Sequence, residues 1–121
     1  LIAEDNELNW EVANELLSDL GVELDWAEDG QICLDKFQKS PEGYYDAVLM
    51  DIRMPHMTGY EATKMIRGLN HPDALSIPII AMSADAFSDD IQHCLECGMN
   101  GHIAKPIDIM EVTRLLKRFL I

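Results

Sequence analysis

The sequence has few basic residues and no long apolar run. It carries 9 Lys and Arg against 22 Asp and Glu, which gives a net charge of −13 over 121 residues. Nucleic-acid binding depends on clustered Lys and Arg, and an anionic membrane repels an acidic surface. We therefore expect no direct contact with nucleic acid and no membrane contact by this domain. No apolar stretch approaches the roughly 20 residues that a helix needs to cross a bilayer.

Cysteine is also scarce, and its three copies, Cys33, Cys94 and Cys97, cannot all pair within the chain. The odd number and the absence of a secretory leader predict a reducing, cytoplasmic location, although a longer parent protein could be membrane-anchored. Cys94 and Cys97 lie beside His93, but without a second pair of ligands they make a poor zinc site. We interpret them as packing or surface thiols.

Two common catalytic motifs are missing as well. No glycine-rich loop ending in Lys and then Ser or Thr follows the first apolar run, which argues against a P-loop nucleotide hydrolase. No Gly-x-Ser-x-Gly elbow is present either, which argues against the hydrolases that use one.

What the sequence does contain is a regular alternation of two patterns. Short continuous apolar runs are typical of buried parallel strands, and apolar residues spaced by three or four are typical of helices. The runs predict strands at residues 1–3, 22–27, 47–50, 77–82 and 102–104. The spacings predict helices at residues 8–20, 29–40, 62–69, 87–97 and 109–119.

This alternation predicts a single α/β domain with a (βα)5, doubly wound parallel sheet and helices on both of its faces. A length of 121 residues suits one domain and is too short for two. The first run begins abruptly at Leu1, so we expect residues 1–121 to be a fragment of a longer protein.

Polar side chains follow four of the predicted strands. Glu4 and Asp5 end the first, Asp51 the third, Ser83 the fourth and Lys105 the fifth. The carboxyl ends of parallel strands share one edge of a sheet, where ligands bind. Three carboxylates there repel one another, so we expect a cation among them, and oxygen ligands without His or thiolate select a hard ion such as Mg²⁺. Lys105 and the Ser83 hydroxyl could hold phosphoryl oxygens, so the set suits phosphoryl transfer.

Four segments in the right order resemble the signature segments of two-component response-regulator receiver domains. They are residues 1–6 (LIAEDN), 48–55 (VLMDIRMP), 79–84 (IIAMSA) and 104–106 (AKP). Further segments are most similar to the receivers of hybrid sensor histidine kinases. They are residues 51–55 (DIRMP), 59–63 (GYEAT), 84–87 (ADAF) and 98–106 (GMNGHIAKP).

The resemblance implies a flavodoxin-like strand order 2-1-3-4-5 and a phosphoacceptor role for Asp51. The phosphoryl donor would be a phosphohistidine of a histidine kinase or of a histidine phosphotransfer domain. Asp5, Asp51 and the main-chain carbonyl of Arg53 would bind Mg²⁺, and Glu4 would act mostly through water. Lys105 would pair with the phosphoryl group.

The resemblance also implies a conformational switch. Ser83 would move towards the phosphoryl group, and His102 stands at the position that the family usually gives to an aromatic residue, three before Lys105. The changing surface would comprise the helix at 87–97, the fifth strand and the last helix, through which a homodimer is possible. Pro106 implies a cis bond after Lys105. Arg53 and Asp85 would flank the path of the water that hydrolyses the aspartyl phosphate.

Several alternatives remain open at this point. The chain could be the receiver of a stand-alone or output-fused response regulator, or a binding-only pseudo-receiver, although Asp51 and Lys105 are both retained. An aspartyl-phosphate phosphatase is less favoured, because Arg53 stands where that class needs a second Asp. His102 could simply pack in the core. The domain itself would promote only its own phosphorylation and dephosphorylation, whereas its parent could be a histidine kinase.

Overall fold

Five parallel strands form one sheet at the centre of the fold. The computed structural model describes residues 1–19, 21–54, 57–83, 92, 95–104 and 109–120. The strands are β1 (Ile2–Ala3), β2 (Trp26–Ala27), β3 (Val48–Asp51), β4 (Ile79–Ser83) and β5 (Gly101–Ala104). Their order is β2-β1-β3-β4-β5, so the predicted topology is confirmed.

Helices cover both faces of this sheet. Those with bounds in the described part of the chain are α1 (Glu7–Ser18), α2 (Gly30–Lys39), α3 (Gly59–Arg67) and a C-terminal helix (Ile109–Leu120). The helix expected at residues 87–97 falls mostly outside the described residues.

Alternate residues of the strands feed two separate apolar cores. Val48 and Met50 of β3 belong to the core that includes Phe37 of α2 and Ile66 of α3. The residue between them, Leu49, belongs to the core on the other face, with residues of α1 and of the C-terminal helix. A sheet buried on both faces explains why its strands have continuous apolar sequences instead of alternating ones.

A side-chain cap begins each of the three helices that follow β1, β2 and β3. Asn6, Asp29 and Thr58 accept hydrogen bonds from main-chain N–H groups three residues later, at 3.1, 2.8 and 3.2 Å. Such caps satisfy donors that the first helical turn leaves without partners. They also place three helix N-termini at the edge of the sheet where the strands end.

All five strands differ from their predicted bounds, four of them by one or two residues at an end and β2 by four. Strand β2 was predicted at residues 22–27 but covers only Trp26–Ala27. It pairs only with β1, which is itself two residues long, so the ladder cannot extend further. Strand β3 runs one residue later than predicted, and Asp51 is therefore its last residue, in register with Met82.

Helix α1 was predicted from apolar residues that recur every four positions, namely Leu8, Val12 and Leu16, but these residues do not mark its buried face. Leu8 is 66% exposed and Val12 is 43% exposed, whereas Ala13 and Leu17 are fully buried. The four-residue spacing identified the helix correctly but could not tell which side packs on the sheet.

Two cysteines are buried, which favours packing over a surface position for Cys97, the two roles that the sequence left open. Cys33 and Cys97 are free thiols with little exposed surface. Burial raises the pKa of the Cys33 thiol to about 12, so this side chain is an inert part of the core at neutral pH. Cys94 lies outside the described residues. Among the helices that the structure describes, none combines the length and the apolarity needed to span a membrane.

Candidate phosphoacceptor site

Three carboxylates meet where β1 and β3 end. Oxygen atoms of Glu4, Asp5 and Asp51 lie within 4.8 Å of one another. Glu4 and Asp51 are buried, with 2% and 4% of their surface exposed, and Asp5 is open to solvent. β1 and β3 are neighbours in the sheet, and Ala3 is in register with Met50, so the residues that follow them are brought together. Negative charges this close repel one another unless a cation lies between them.

The donor set fits a hard divalent ion. All three groups offer carboxylate oxygens, the ligands that Mg²⁺ prefers, and the exposed Asp5 leaves an open side where the ion could keep its waters. Within the described residues, this is the only cluster of three or more His, Cys, Asp or Glu side chains with suitable spacing.

Main-chain and side-chain hydrogen bonds position the first two carboxylates. The N–H of Glu4 donates to the Ala27 carbonyl at 3.0 Å, which ties the end of β1 to β2. The carbonyl of Glu4 accepts from the Trp26 indole Nε1 at 2.8 Å. The N–H of Asn6 donates to Glu4 Oε1 at 3.3 Å, and Asn6 also caps α1. The acidic pair therefore lies in a short segment that is anchored on both sides.

Asp51 is held by the chain that follows it. The N–H of Arg53 donates to Asp51 Oδ1 at 3.2 Å. The N–H of Gly59 donates to the Ile52 carbonyl at 2.8 Å, which brings the start of α3 against the strand end. A Cβ atom at position 59 would lie only 2.3 Å from the Asp51 carbonyl oxygen, so this approach requires glycine.

A cleft of about 290 Å³ opens beside Asp51. Its lining residues are Ile52, Arg53, Thr58, Tyr60 and Ser83. Ser83 is the last residue of β4 and only 3% of its surface is exposed. No motif in the sequence indicated that Thr58 and Tyr60 line this cleft. The spacing of Thr58 and Glu61 is that of a capping box, which would have located the start of α3 but not the cleft.

The structure brings four of the predicted site residues to one edge of the sheet, namely Glu4, Asp5, Asp51 and Ser83, with Arg53 beside them. Lys105, Pro106 and Asp85 lie outside the described residues. Ala104, which precedes Lys105, is in register with Ser83. His102 lies on β5 in register with Ala81 and is half-buried.

The amino-acid sequence matches a known protein family. The sequence model of the response regulator receiver domain matches residues 1–117, which is nearly the whole chain. The chain belongs to the receiver domain family. The resemblance inferred from the motifs is therefore confirmed.

Curated relatives of this receiver domain are histidine kinases. It is 40% identical over 123 residues to histidine protein kinase 1 of Candida albicans, an alignment that covers 98% of this chain and 5% of that protein. It is 38% identical over 122 residues to the osmosensing histidine protein kinase SLN1 of Saccharomyces cerevisiae, covering 98% of this chain and 10% of that protein. The receiver domain thus spans only a small part of the proteins that it matches.

Solved receiver structures share its fold. One is the receiver domain of a sensor histidine kinase of Pseudomonas aeruginosa, which was crystallised with a magnesium ion coordinated in its active-site cleft. It is 36% identical to this receiver domain and superposes with a TM-score of 0.86, covering 98% of this chain and 93% of that one. The chemotaxis protein CheY4 of Vibrio cholerae is 27% identical, with a TM-score of 0.87 and coverage of 98% and 95%.

Proposed function

We propose that this receiver domain accepts a phosphoryl group on the side-chain carboxylate of Asp51, from a phosphohistidine on a histidine kinase or a histidine phosphotransfer domain. The observation that carries the proposal is the position of Asp51. It ends the strand between β1 and β4, with the carboxylates of Glu4 and Asp5 on one side and the cleft that contains Ser83 on the other.

The transfer breaks the phosphorus–nitrogen bond of the donor and forms a phosphorus–oxygen bond to an Asp51 carboxylate oxygen. The donor imidazole leaves with the electron pair of the broken bond. Catalysis of this kind depends mainly on positioning and on neutralising charge. The burial of Asp51 and the hydrogen bond from the Arg53 N–H fix the direction of the accepting oxygen.

We assign the Mg²⁺ site to Asp5, Asp51 and the main-chain carbonyl of Arg53, with Glu4 acting mostly through water. When bound, Mg²⁺ would neutralise the carboxylates and a phosphoryl oxygen. Two observations support the assignment: the three carboxylates lie within 4.8 Å of one another, and a domain 36% identical to this one holds magnesium in its cleft. The Ser83 hydroxyl and Lys105 are assigned to the remaining phosphoryl oxygens.

Phosphorylation with acetyl phosphate tests the assignment. The wild-type domain should gain one phosphoryl group in the presence of Mg²⁺ and none in EDTA, as measured by intact mass. Asp51→Asn should remain unmodified, because the amide is not a nucleophile. Asp46→Asn is the matched control: Asp46 is exposed, lies just before β3 and should not affect labelling. A phosphorylated Asp51→Asn variant, or full labelling in EDTA, would contradict the proposal.

The proposed response to phosphorylation is a shift of Ser83 towards the phosphoryl group, followed by movement of His102. Ser83 and His102 lie on adjacent strands, two rungs of the ladder apart, since they are in register with Ala104 and Ala81. The switch surface would include β5, the C-terminal helix and residues 87–97, and it could form a homodimer. Beryllofluoride and Mg²⁺ should change the NMR shifts of His102 as well as those of Asp51.

Arg53 and Asp85 are proposed to cover the path of the hydrolytic water. Arg53 lines the cleft beside Asp51 and is itself exposed. If the pair restricts water, then a variant with alanine at both positions should lose its phosphoryl group faster than the wild type.

The proposed parent is a hybrid sensor histidine kinase acting in a phosphorelay, with the receiver domain in the cytoplasm and without nucleic acid contacts. The relatives named above are histidine kinases many times longer than this chain. The alternative parent is a stand-alone or output-fused response regulator. The coding sequence upstream of Leu1 would distinguish the two, because only the first encodes a kinase there.

A further inference from the structure

Trp26 lies on β2 but contacts the main chain of Glu4 and Asp5, which follow β1 and form the acidic segment. Its indole Nε1 donates to the Glu4 carbonyl at 2.8 Å. That carbonyl belongs to the peptide group that joins Glu4 to Asp5. Glu4 lies beyond the last residue of β1, so its carbonyl is outside the regular ladder of the sheet. The indole therefore orients the peptide group between Glu4 and Asp5, the two residues whose side chains carry the carboxylates.

The indole is itself held in place. The Trp26 carbonyl accepts a hydrogen bond from Lys36 Nζ at 2.7 Å, which fixes the main chain of β2 to α2. The Trp10 ring packs edge-on against the Trp26 ring, with 5.4 Å between ring centroids and 85° between ring planes. Trp10 lies in the first turns of α1, the helix that begins just after Asp5 and Asn6. The two rings thus connect α1 and β2 next to the acidic pair.

The two tryptophans differ in one respect that matters. Trp26 Nε1 makes the hydrogen bond to Glu4, whereas Trp10 Nε1 is buried and has no partner among the residues that the structure describes. Replacing either residue with Phe removes an N–H and part of a ring, but only the change at Trp26 removes a hydrogen bond to the main chain of Glu4.

We infer that Trp26 is a positioning residue for the cation site, acting through its hydrogen bond to the Glu4 carbonyl. This inference rests on the proposed Mg²⁺ role of Glu4, Asp5 and Asp51. Groups that orient metal ligands from outside contribute strongly to affinity, because a misdirected ligand must be reordered when the ion binds. Asp5 is exposed, so its direction depends largely on the main chain that carries it.

Mg²⁺ titration of the wild type, Trp26→Phe and Trp10→Phe tests the inference. The Kd for Mg²⁺ should rise about 10-fold in Trp26→Phe, the lower end of what the loss of an outer partner costs a metal site. Trp10→Phe should keep the wild-type Kd, because a Phe ring can still pack against Trp26 and the hydrogen bond from Trp26 to Glu4 is retained. In the metal-free proteins, the NMR amide signals of Asp5 and Asn6 should report greater motion in Trp26→Phe than in Trp10→Phe. A purely structural role would lower the thermal midpoint of both variants and leave both Kd values unchanged, which would overturn the inference.

A measurement on the wild type keeps the inference testable if Trp26→Phe folds poorly. Because coupling is reciprocal, a hydrogen bond that favours Mg²⁺ binding must be strengthened by Mg²⁺. Solvent exchange of the Trp26 indole proton should therefore slow when Mg²⁺ is added, and an unchanged rate would contradict the inference. If the wild type binds no Mg²⁺, the proposed function fails. If it binds Mg²⁺ and Trp26→Phe binds it equally well, only this inference fails.

Discussion

Asp25 is the centre of a polar cluster at the amino ends of the strands, the edge opposite Asp51. Its carboxylate accepts hydrogen bonds from Tyr45 Oη at 2.5 Å and from Lys36 Nζ at 2.9 Å. Burial alone would raise the pKa of Asp25, but the bonds from Tyr45 and Lys36 outweigh it, and the pKa is lowered. Burial and the bond to Asp25 raise the pKa of Tyr45, so the phenol stays protonated as a donor.

The residue-scale prediction is that Tyr45→Phe destabilises the fold by about 1 kcal/mol at neutral pH, the usual net value of one hydrogen bond. An Asp whose pKa is lowered by folding stabilises the fold above its unfolded pKa, here 3.8, and loses that contribution as the pH falls through the folded value. The effect of Tyr45→Phe should therefore shrink as the pH falls below about 3.8. Urea unfolding at several pH values measures it.

Tyr44→Phe is the matched control for this prediction. The Tyr44 ring packs edge-on against Tyr45 at 4.8 Å, and the residue is 61% exposed. Its hydroxyl should contribute little to stability at any pH. If Tyr45→Phe and Tyr44→Phe lose the same stability, or if the loss at Tyr45 does not depend on pH, then the hydrogen bond from Tyr45 to Asp25 does not stabilise the fold.

At the scale of the secondary-structure elements, the close approach of α3 to the end of β3 determines where Asp51 can lie. Gly59→Ala would place a Cβ atom 2.3 Å from the Asp51 carbonyl oxygen and 2.9 Å from Ile52 Cα. Main-chain atoms cannot move aside cheaply, so we expect a loss of about 1 to 3 kcal/mol in the free energy of unfolding, as for other overpacked sites. Phosphorylation by acetyl phosphate should slow as well, because the strand end that carries Asp51 must shift.

The other end of the same helix provides the control. A Cβ atom at Gly68 would lie 3.5 Å from the Lys64 carbonyl oxygen, an ordinary contact. Gly68→Ala should therefore change neither stability nor phosphorylation to a comparable extent. Equal effects at Gly59 and Gly68 would mean that the change in helix-end conformation, and not the approach to Asp51, is responsible.

Features of the fold that depend on neighbouring residues in the chain could be predicted from the sequence, whereas those that depend on distant residues could not. The carboxyl ends of the strands were predictable because a buried apolar run ends where polar side chains begin, as at Ala3 and Ser83. The extent of β2 was not, because it depends on a partner strand 20 or more residues away in the chain. The buried side of α1 was not predictable either, since both its exposed and its buried sides carry apolar residues.

Long-range polar contacts could not be predicted from the sequence either, because their partners lie far apart in the chain. The indole of Trp26 and the carbonyl of Glu4 are 22 residues apart. Arg67 donates to the carbonyls of Ala74, Ile77 and Gly98 and to the Asn100 side chain, and so joins the end of α3 to the segments before β4 and β5. Nothing in the spacing of these residues indicates such contacts. By contrast, the carboxylates of the site were predictable because the chemistry of a cation site restricts the residue types.

At the scale of the whole molecule, the net charge of −13 opposes folding, and the acidic site concentrates part of that repulsion. We expect Mg²⁺ to stabilise the wild-type domain by about 1.4 kcal/mol when its concentration is ten times the Kd, because the ion binds only the folded chain. Asp5→Ala should lose this stabilisation, and its metal-free form should be at least as stable as the wild type, since one like charge is removed.

Thermal unfolding in MgCl₂ and in NaCl of equal ionic strength separates the two electrostatic effects. NaCl screens the overall charge in both proteins, whereas binding at the site requires Mg²⁺ and the intact carboxylates. If MgCl₂ raises the midpoints of wild type and Asp5→Ala equally beyond the effect of NaCl, the ion acts elsewhere on the acidic surface.

The pair formed by Trp10 and Trp26 also has an optical consequence. These are the only two tryptophans in the sequence, and their ring centroids are 5.4 Å apart. Two indoles at this distance exchange excitation energy before either emits, so the pair absorbs and fluoresces as a coupled chromophore instead of as two independent ones. The Trp26 indole of this pair donates a hydrogen bond to the carbonyl of the peptide group between Glu4 and Asp5. The ultraviolet emission and near-ultraviolet circular dichroism of the unlabelled domain should therefore change when a cation binds to the carboxylates of Glu4, Asp5 and Asp51. Stopped-flow fluorescence could then follow that binding in real time.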